Sequence, residues 1–186
     1  MVVEFRNALK TYIRSTKLRI DRIPFWNERI NRSMSTDQPF QLAIYDIDHD
    51  TWNYIQSMSY QILLAKLQKD CSIIDVGCGY GALVECLPET YNVTYTGLDI
   101  VPKFIKEAQR RYPKHRFIRE DWRNFVPDPH QPYDFVVVRS MREMIRDNGG
   151  EVEEKKFLDK VRTFADQCIF IEYGNKITPQ ECWYEK

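Results

Sequence analysis

The stretch that most constrains this chain is SIIDVGCGYGA, residues 72–82. A β-branched run ends on Asp75-Val76, and glycines follow at 77, 79 and 81 before helix-compatible residues resume. Glycines spaced like this after a strand let the backbone turn sharply and approach a ligand with no Cβ in the way. Strand, tight loop and helix in that order form the opening unit of a parallel α/β sheet. The loop then lies at the carboxyl end of the strand, where such sheets bind ligands.

The remaining sequence continues the alternation. VTYTGLDI (93–100), RFIRED (116–121), DFVVVRS (134–140) and CIFIEYG (168–174) read as strands. DFVVVRS is apolar nearly throughout, as a strand covered on both faces requires. GALVECLP reads as a short helix, and PKFIKEAQRRY (102–112) as a helix with proline at its favoured first position. EVEEKKFLDKVRTFA (151–165) is a helix with acids in its first turn. Ahead of the first strand, a helix is expected from Asp50 to about Leu67, capped by Asp50 or Thr51, with Tyr54, Ile55, Met58, Ile62 and Leu63 on its apolar face. The expected fold is a Rossmann-like, doubly wound, mostly parallel sheet with helices on both faces.

Residues 1–35 read as a basic helical extension and 36–186 as the ligand-binding domain. Eight Lys or Arg stand against three acids in 1–32, and Phe5, Leu9, Tyr12 and Ile13 recur at helical spacing. MSTDQPF (34–40) reads as a connecting loop. Over the whole chain 27 Lys and Arg balance 27 Asp and Glu, so global charge makes no case for a nucleic-acid or membrane partner. Five cysteines, none in a C-x-x-C pair, fit reduced thiols and a cytoplasmic protein better than a secreted disulfide framework. His49, His115 and His130 are scattered, and no metal site is expected.

Three ligands suit a glycine loop of this kind. A Walker loop is excluded because no Gly-Lys-Ser/Thr follows. Gly77 and Gly79 with Ala82 also satisfy the dinucleotide pattern, and Asp99 lies 22 residues beyond Gly77, near the ribose-binding spacing. Asp75 separates the remaining two. A carboxylate just before the first glycine faces a pyrophosphate unfavourably, but suits a ligand carrying an ammonium group and no phosphate. S-adenosylmethionine (SAM) is such a ligand, with an amino-acid end, a ribose diol and an adenine.

Taken together these residues resemble the class I SAM-dependent methyltransferase family. The family's first motif is matched by Asp75-Val76-Gly77-Cys78-Gly79-Tyr80-Gly81, with Cys78 read as a small side chain filling the turn. The resemblance implies that Asp99, with Ile100 after it, holds the ribose hydroxyls, and that Asp121 contacts the adenine amino group with Trp122 packed on the ring. It places Arg139 and Ser140 where the fourth strand ends facing the methyl group. Tyr45, His49 and Tyr54 fall where relatives close over the cofactor, so Tyr54 joins the cofactor contacts and His49 the candidate bases. Arg139 is a candidate for both cofactor and acceptor, and Glu172, ending the fifth strand, is a further candidate base.

A sulfonium is already a good leaving group, so such an enzyme chiefly aligns its substrates and excludes water. Three acceptor chemistries lack their residues here. No [DNS]-P-P-[YFW] follows the fourth strand, no cysteine follows a proline, and Arg139-Ser140 does not supply the acid of the Lys-Asp-Lys-Glu set. DNA is therefore not expected as a partner, and a small-molecule, sugar or protein acceptor is. Only twelve residues follow Gly174, enough for one extended piece where the family has a helix and two more strands. An open sheet edge covered by a second copy or partner chain, or a catalytically silent SAM-fold subunit, is the alternative this leaves.

Overall fold

In a computed structural model, residues 22–35, 39–45, 47–173 and 179–185 are described. The helical pattern read in Phe5, Leu9, Tyr12 and Ile13 lies outside them.

Six strands form one sheet in the order β3-β2-β1-β4-β5-β6. They are β1 (Asp70–Val76), β2 (Asn92–Asp99), β3 (Arg116–Arg119), β4 (Tyr133–Arg139), β5 (Ala165–Tyr173) and β6 (Pro179–Glu185). The first five are parallel, and β6 runs antiparallel to β5 from Tyr173↔Pro179 to Gln167↔Glu185. The extended piece expected after Gly174 is thus a strand of seven residues. The chain leaves β1 toward β2 on one side and returns to β4 on the other, so the β1 end is the topological switch point.

Among the described residues five helices accompany the sheet: α1 (Arg22–Met34), α2 (Phe40–Tyr45), α3 (His49–Lys66), α4 (Pro102–Arg111) and α5 (Arg142–Val161). The expected helix after the glycines is only a 3-10 turn, Ala82–Cys86. The cap of α3 is Asp48, ahead of the residues expected for it, and its carboxylate accepts the Thr51 N–H at 2.6 Å. Phe40, the last residue of the stretch read as a connecting loop, begins the short helix α2. Two helices merge in α5 across a kink at Gly150 (φ 72°, ψ −174°), so a helix from Arg142 precedes the one expected from Glu151.

The pleat divides the core. Ile73, Tyr95, Phe135, Val137 and Ile169 face Ile62, Leu63, Ile105 and Ala108 of α3 and α4. Ile74, Val76, Val136, Val138 and Phe170 face Phe157, Val161 and Phe164 on and just after α5. Each fully buried aliphatic or aromatic side chain contributes roughly 1.5–3 kcal/mol of transfer free energy. A third cluster stands over the glycine loop, where Trp26 and Ile30 of α1 join Leu42, Ile44, Trp52, Tyr80 and Phe104. The part of the N-terminal segment within the described residues is therefore a wall of the domain.

No helix among the described residues is long and apolar enough to cross a membrane.

Candidate cofactor and active site

The glycine loop leaves β1 with Gly77, Gly79 and Gly81 at φ 77°, 55° and 85°. L-residues rarely adopt these left-handed values, so the alternating glycines are a backbone requirement. The loop is tied to β2, since Leu98 O accepts the Gly77 N–H at 2.8 Å and the Cys78 N–H at 3.1 Å. Asp99, ending β2, completes the clamp: its two oxygens accept the N–H groups of Gly79 at 2.9 Å and Val101 at 2.8 Å. A carboxylate has about four lone-pair sites, so two remain for a ligand diol.

Asp75 is buried and accepts the Tyr95 hydroxyl at 2.7 Å. Burial raises its carboxyl to about 6, against the pull of the Tyr95 bond and the Arg139 charge. Burial likewise lifts Asp99 to about 6, against its backbone N–H bonds. Cys78 is buried, its Sγ near the place a Cβ on Gly97 would occupy, and burial pushes its thiol well above the ordinary range. It fills the space between loop and sheet, as read from the sequence.

Around β4 the geometry differs from the simplest reading of a strand end open to solvent. Half-buried Arg139 reaches between α3 and the 3-10 turn, donating to Gln56 Oε1 at 2.8 Å and lying 3.4 Å from Ser59 Oγ. Gln56 in turn donates to Ala82 O at 3.0 Å. Ser140 has φ 56°, a strained value for a residue with a side chain, and its N–H bonds Ile171 O at 2.9 Å. This sharp turn brings Met141 back onto the glycine loop, where its thioether fills the space a Cβ on Gly77 would need. Glu172 is buried and accepts the Arg142 N–H at 2.9 Å, which satisfies an orphan donor at the start of α5. Arg142 itself pairs with Glu154, beyond the kink, as does Arg146.

The other candidates sit around this centre. Asp121 follows β3 and accepts both the backbone N–H and the guanidinium of Arg123 at 3.0 Å. Trp122 is half-buried, edge-on to Phe157 with centroids 5.1 Å apart. Ile100 and Tyr54 are exposed. His49 is exposed at the start of α3, its Nδ1 2.8 Å from Asn53 Nδ2. Sequence reasoning missed the aromatic wall over the loop, although it had marked Tyr45. Tyr45 stacks on Trp52 at 5.8 Å and 14°, its hydroxyl 3.5 Å from the place of a Gly79 Cβ. Tyr80 is wholly buried beneath them, and its hydroxyl has no partner.

Adjacent strand ends thus bring Asp75, the glycines, Asp99 and the β4 turn to one crevice. Residues 73–154, which contain all of these groups, match the family model of a methyltransferase domain. The sheet around this stretch has a Rossmann-like fold. Among characterised proteins, the methoxy mycolic acid synthase MmaA3 of Mycobacterium tuberculosis is 27% identical over 106 residues, 53% of this chain and 35% of that protein. The chain therefore spans about a third of the relative it matches. Among solved structures, the magnesium protoporphyrin IX methyltransferase of Synechocystis with bound SAM superposes with a TM-score of 0.57 at 17% identity, covering 86% of this chain and 73% of that one. The N-methyltransferase NodS of Bradyrhizobium japonicum with S-adenosylhomocysteine gives 0.58 at 17%, covering 77% and 71%. These two likenesses show the fold, a Rossmann-like α/β sheet.

Proposed function

We propose that this chain binds SAM in the crevice at the β1 and β2 ends and transfers its methyl group to a small-molecule acceptor. The observation that carries the reading is the Asp99 clamp: a half-buried carboxylate with unused lone pairs, fixed beside a glycine cradle. The residues fit the cofactor. The space beside Gly79 meets only the Tyr45 hydroxyl at 3.5 Å, so a ligand backbone has room there. SAM supplies the electrophilic methyl. The protein's work is to hold and dry it.

Asp99 accepts the ribose hydroxyls, and Ile100, exposed beside it, offers apolar surface to the adenine. The family resemblance adds Asp121 and Trp122 to that end of the crevice. Tyr45 and Trp52 supply an aromatic wall that excludes water from the glycine loop, and Tyr54 stands two residues after Trp52. Arg139 acts as a positioning residue, because its guanidinium joins α3 to β4 beside the buried Asp75. Glu172 holds the start of α5, which limits its use as a base, and His49 stays the candidate for proton removal at the mouth. The small-molecule acceptor class is supported by the named relatives, a mycolic acid synthase and a porphyrin methyltransferase, together with the absent DNA-amino and cytosine motifs.

Calorimetry with SAM, paired with labelled-methyl transfer into fractionated small-molecule extract, tests this. Saturable SAM binding lost in Asp99→Ala, with label in a small-molecule fraction, is the expected result. Absence of SAM binding by the folded wild-type chain overturns it. Binding without transfer to any fraction points instead to a silent SAM-fold subunit.

A further inference from the structure

The opposite end of the sheet carries a second polar recess. A groove of about 370 Å3 opens where the chain enters β2, β3 and β4, lined by Thr94, Thr96, Lys114, His115, Arg116 and Tyr133, with Ser72 and Gln131 at its margin. Its distance from the cofactor crevice follows from the strand. Thr94 precedes Asp99 by five residues of β2, about 16 Å at strand rise.

Register places the key side chains on one face. Thr96 pairs with Arg116 across β2 and β3, and Ser72 pairs with Thr94 across β1 and β2. Residues in register on parallel strands project to the same side, as do those two apart along one strand. Thr94, Thr96 and Arg116 therefore stand together, with Lys114 and His115 in the turn leading into β3.

Several surface cations outside the groove are already paired with acids. Arg110 and Arg111 sit on Glu107, Arg142 and Arg146 on Glu154, and Lys155 on Asp159. Lys114 and Arg116 have no acidic partner among the described residues, and no acid lines the groove. Asp134, at its margin, is engaged by the Ser72 N–H at 2.6 Å and the Ser72 hydroxyl at 2.8 Å. Thr96 is 97% buried yet its hydroxyl bonds to no protein group. A hydroxyl that opens into a recess beside two cations can donate to an anionic acceptor there.

We propose that this groove binds the phosphate group of a small phosphorylated molecule. Lys114 and Arg116 supply charge, and Thr94 and Thr96 donate hydrogen bonds to its oxygens. Two cations two residues apart, with hydroxyls beside them on the neighbouring strand, match a dianion better than a single carboxylate. The recess is also larger than a bare phosphate requires and lies at the low end of small-molecule sites. The proposal is independent of SAM binding.

Calorimetry on the full chain with ribose 5-phosphate, inorganic phosphate and acetate tests it. Expected is one saturable site for ribose 5-phosphate, weaker binding of inorganic phosphate and none of acetate. Lys114→Ala and Arg116→Ala should each weaken binding roughly tenfold, Thr96→Val should weaken it measurably, and Lys155→Ala should leave it unchanged. SAM titration should be the same in all four variants. The two surface variants leave the core intact, so misfolding of Thr96→Val would not remove the test. No saturable ribose 5-phosphate binding overturns the proposal, as does equal binding of acetate or equal loss in Lys155→Ala.

Discussion

Asp99 and Gly79 are twenty residues apart, yet the carboxylate of the first accepts the backbone N–H of the second at 2.9 Å. This bond couples the shape of the glycine loop to the group proposed to hold the ribose. In Asp99→Asn one carboxylate oxygen becomes an NH2, which faces either the Gly79 or the Val101 N–H donor to donor. Loss of one such bond in a part-buried site costs about 1–3 kcal/mol. SAM affinity measured by calorimetry should fall by roughly tenfold or more, with a lowered melting temperature. Unchanged affinity in a folded variant would remove Asp99 from the site.

Asp75 and Asp99 predict opposite pH trends for stability and binding. Asp75 and Asp99 rise from 3.8 to about 6 in the folded protein. Between those values the folded chain holds protons that the unfolded chain releases. Their contribution to stability is therefore full below pH 3.8 and lost as pH rises through about 6. SAM binding runs the other way, because the ionised Asp99 is the better acceptor, and affinity should drop as pH falls below about 6. Asp75→Asn should raise apo stability at pH 7 by about 1–3 kcal/mol, measured by urea denaturation. A pH-independent SAM affinity from 5 to 8 would contradict the coupling.

Glycine substitutions should separate steric from conformational cost. Gly77→Ala meets Met141 in addition to its left-handed φ of 77°, whereas Gly79→Ala at φ 55° meets only the Tyr45 hydroxyl at 3.5 Å. Backbone strain alone is worth about 1–3 kcal/mol. Gly77→Ala should therefore be the less stable variant by thermal melting, and adding Met141→Ala should recover part of the difference. Equal destabilisation at both sites would show that Met141 yields freely.

Glu172 allows a test of anchoring against base catalysis. Glu172→Gln keeps an oxygen for the Arg142 N–H and should stay near wild-type in both stability and methyl transfer. Glu172→Ala leaves that donor unmet and should lose about 1–2 kcal/mol. A stable Gln variant with methyl transfer abolished would make Glu172 the base.

Much of this was legible before the fold was known. The glycines at 77, 79 and 81 predicted left-handed backbone because few other residues tolerate it, and all three adopt positive φ. The apolar run through Val136–Val138 predicted a strand buried on both faces, and β4 lies between β1 and β5. Other boundaries were less visible. Thr51 was offered as a cap, but its N–H is the donor and Asp48 the acceptor, a role set by where the chain turns. The helix from Arg142 to Gly150 is short of apolar periodicity and is held by Glu172, thirty residues on, and by Glu154 across the kink.

The division between the two levels of information follows from range. Local backbone demand and hydrophobic period determined the strands, the loop and the positions of Asp75 and Asp99, because those constraints act within a few residues. Only tertiary structure decided which polar groups remain available. It committed Arg139 to Gln56, Glu172 to the start of α5 and Met141 to Gly77. It left the Asp99 lone pairs beside a bare loop, and the Thr96 hydroxyl beside two cations farther back along the same strand. A side chain's chemistry is written in its residue type, but its free valences depend on partners that chain folding brings from tens of residues away.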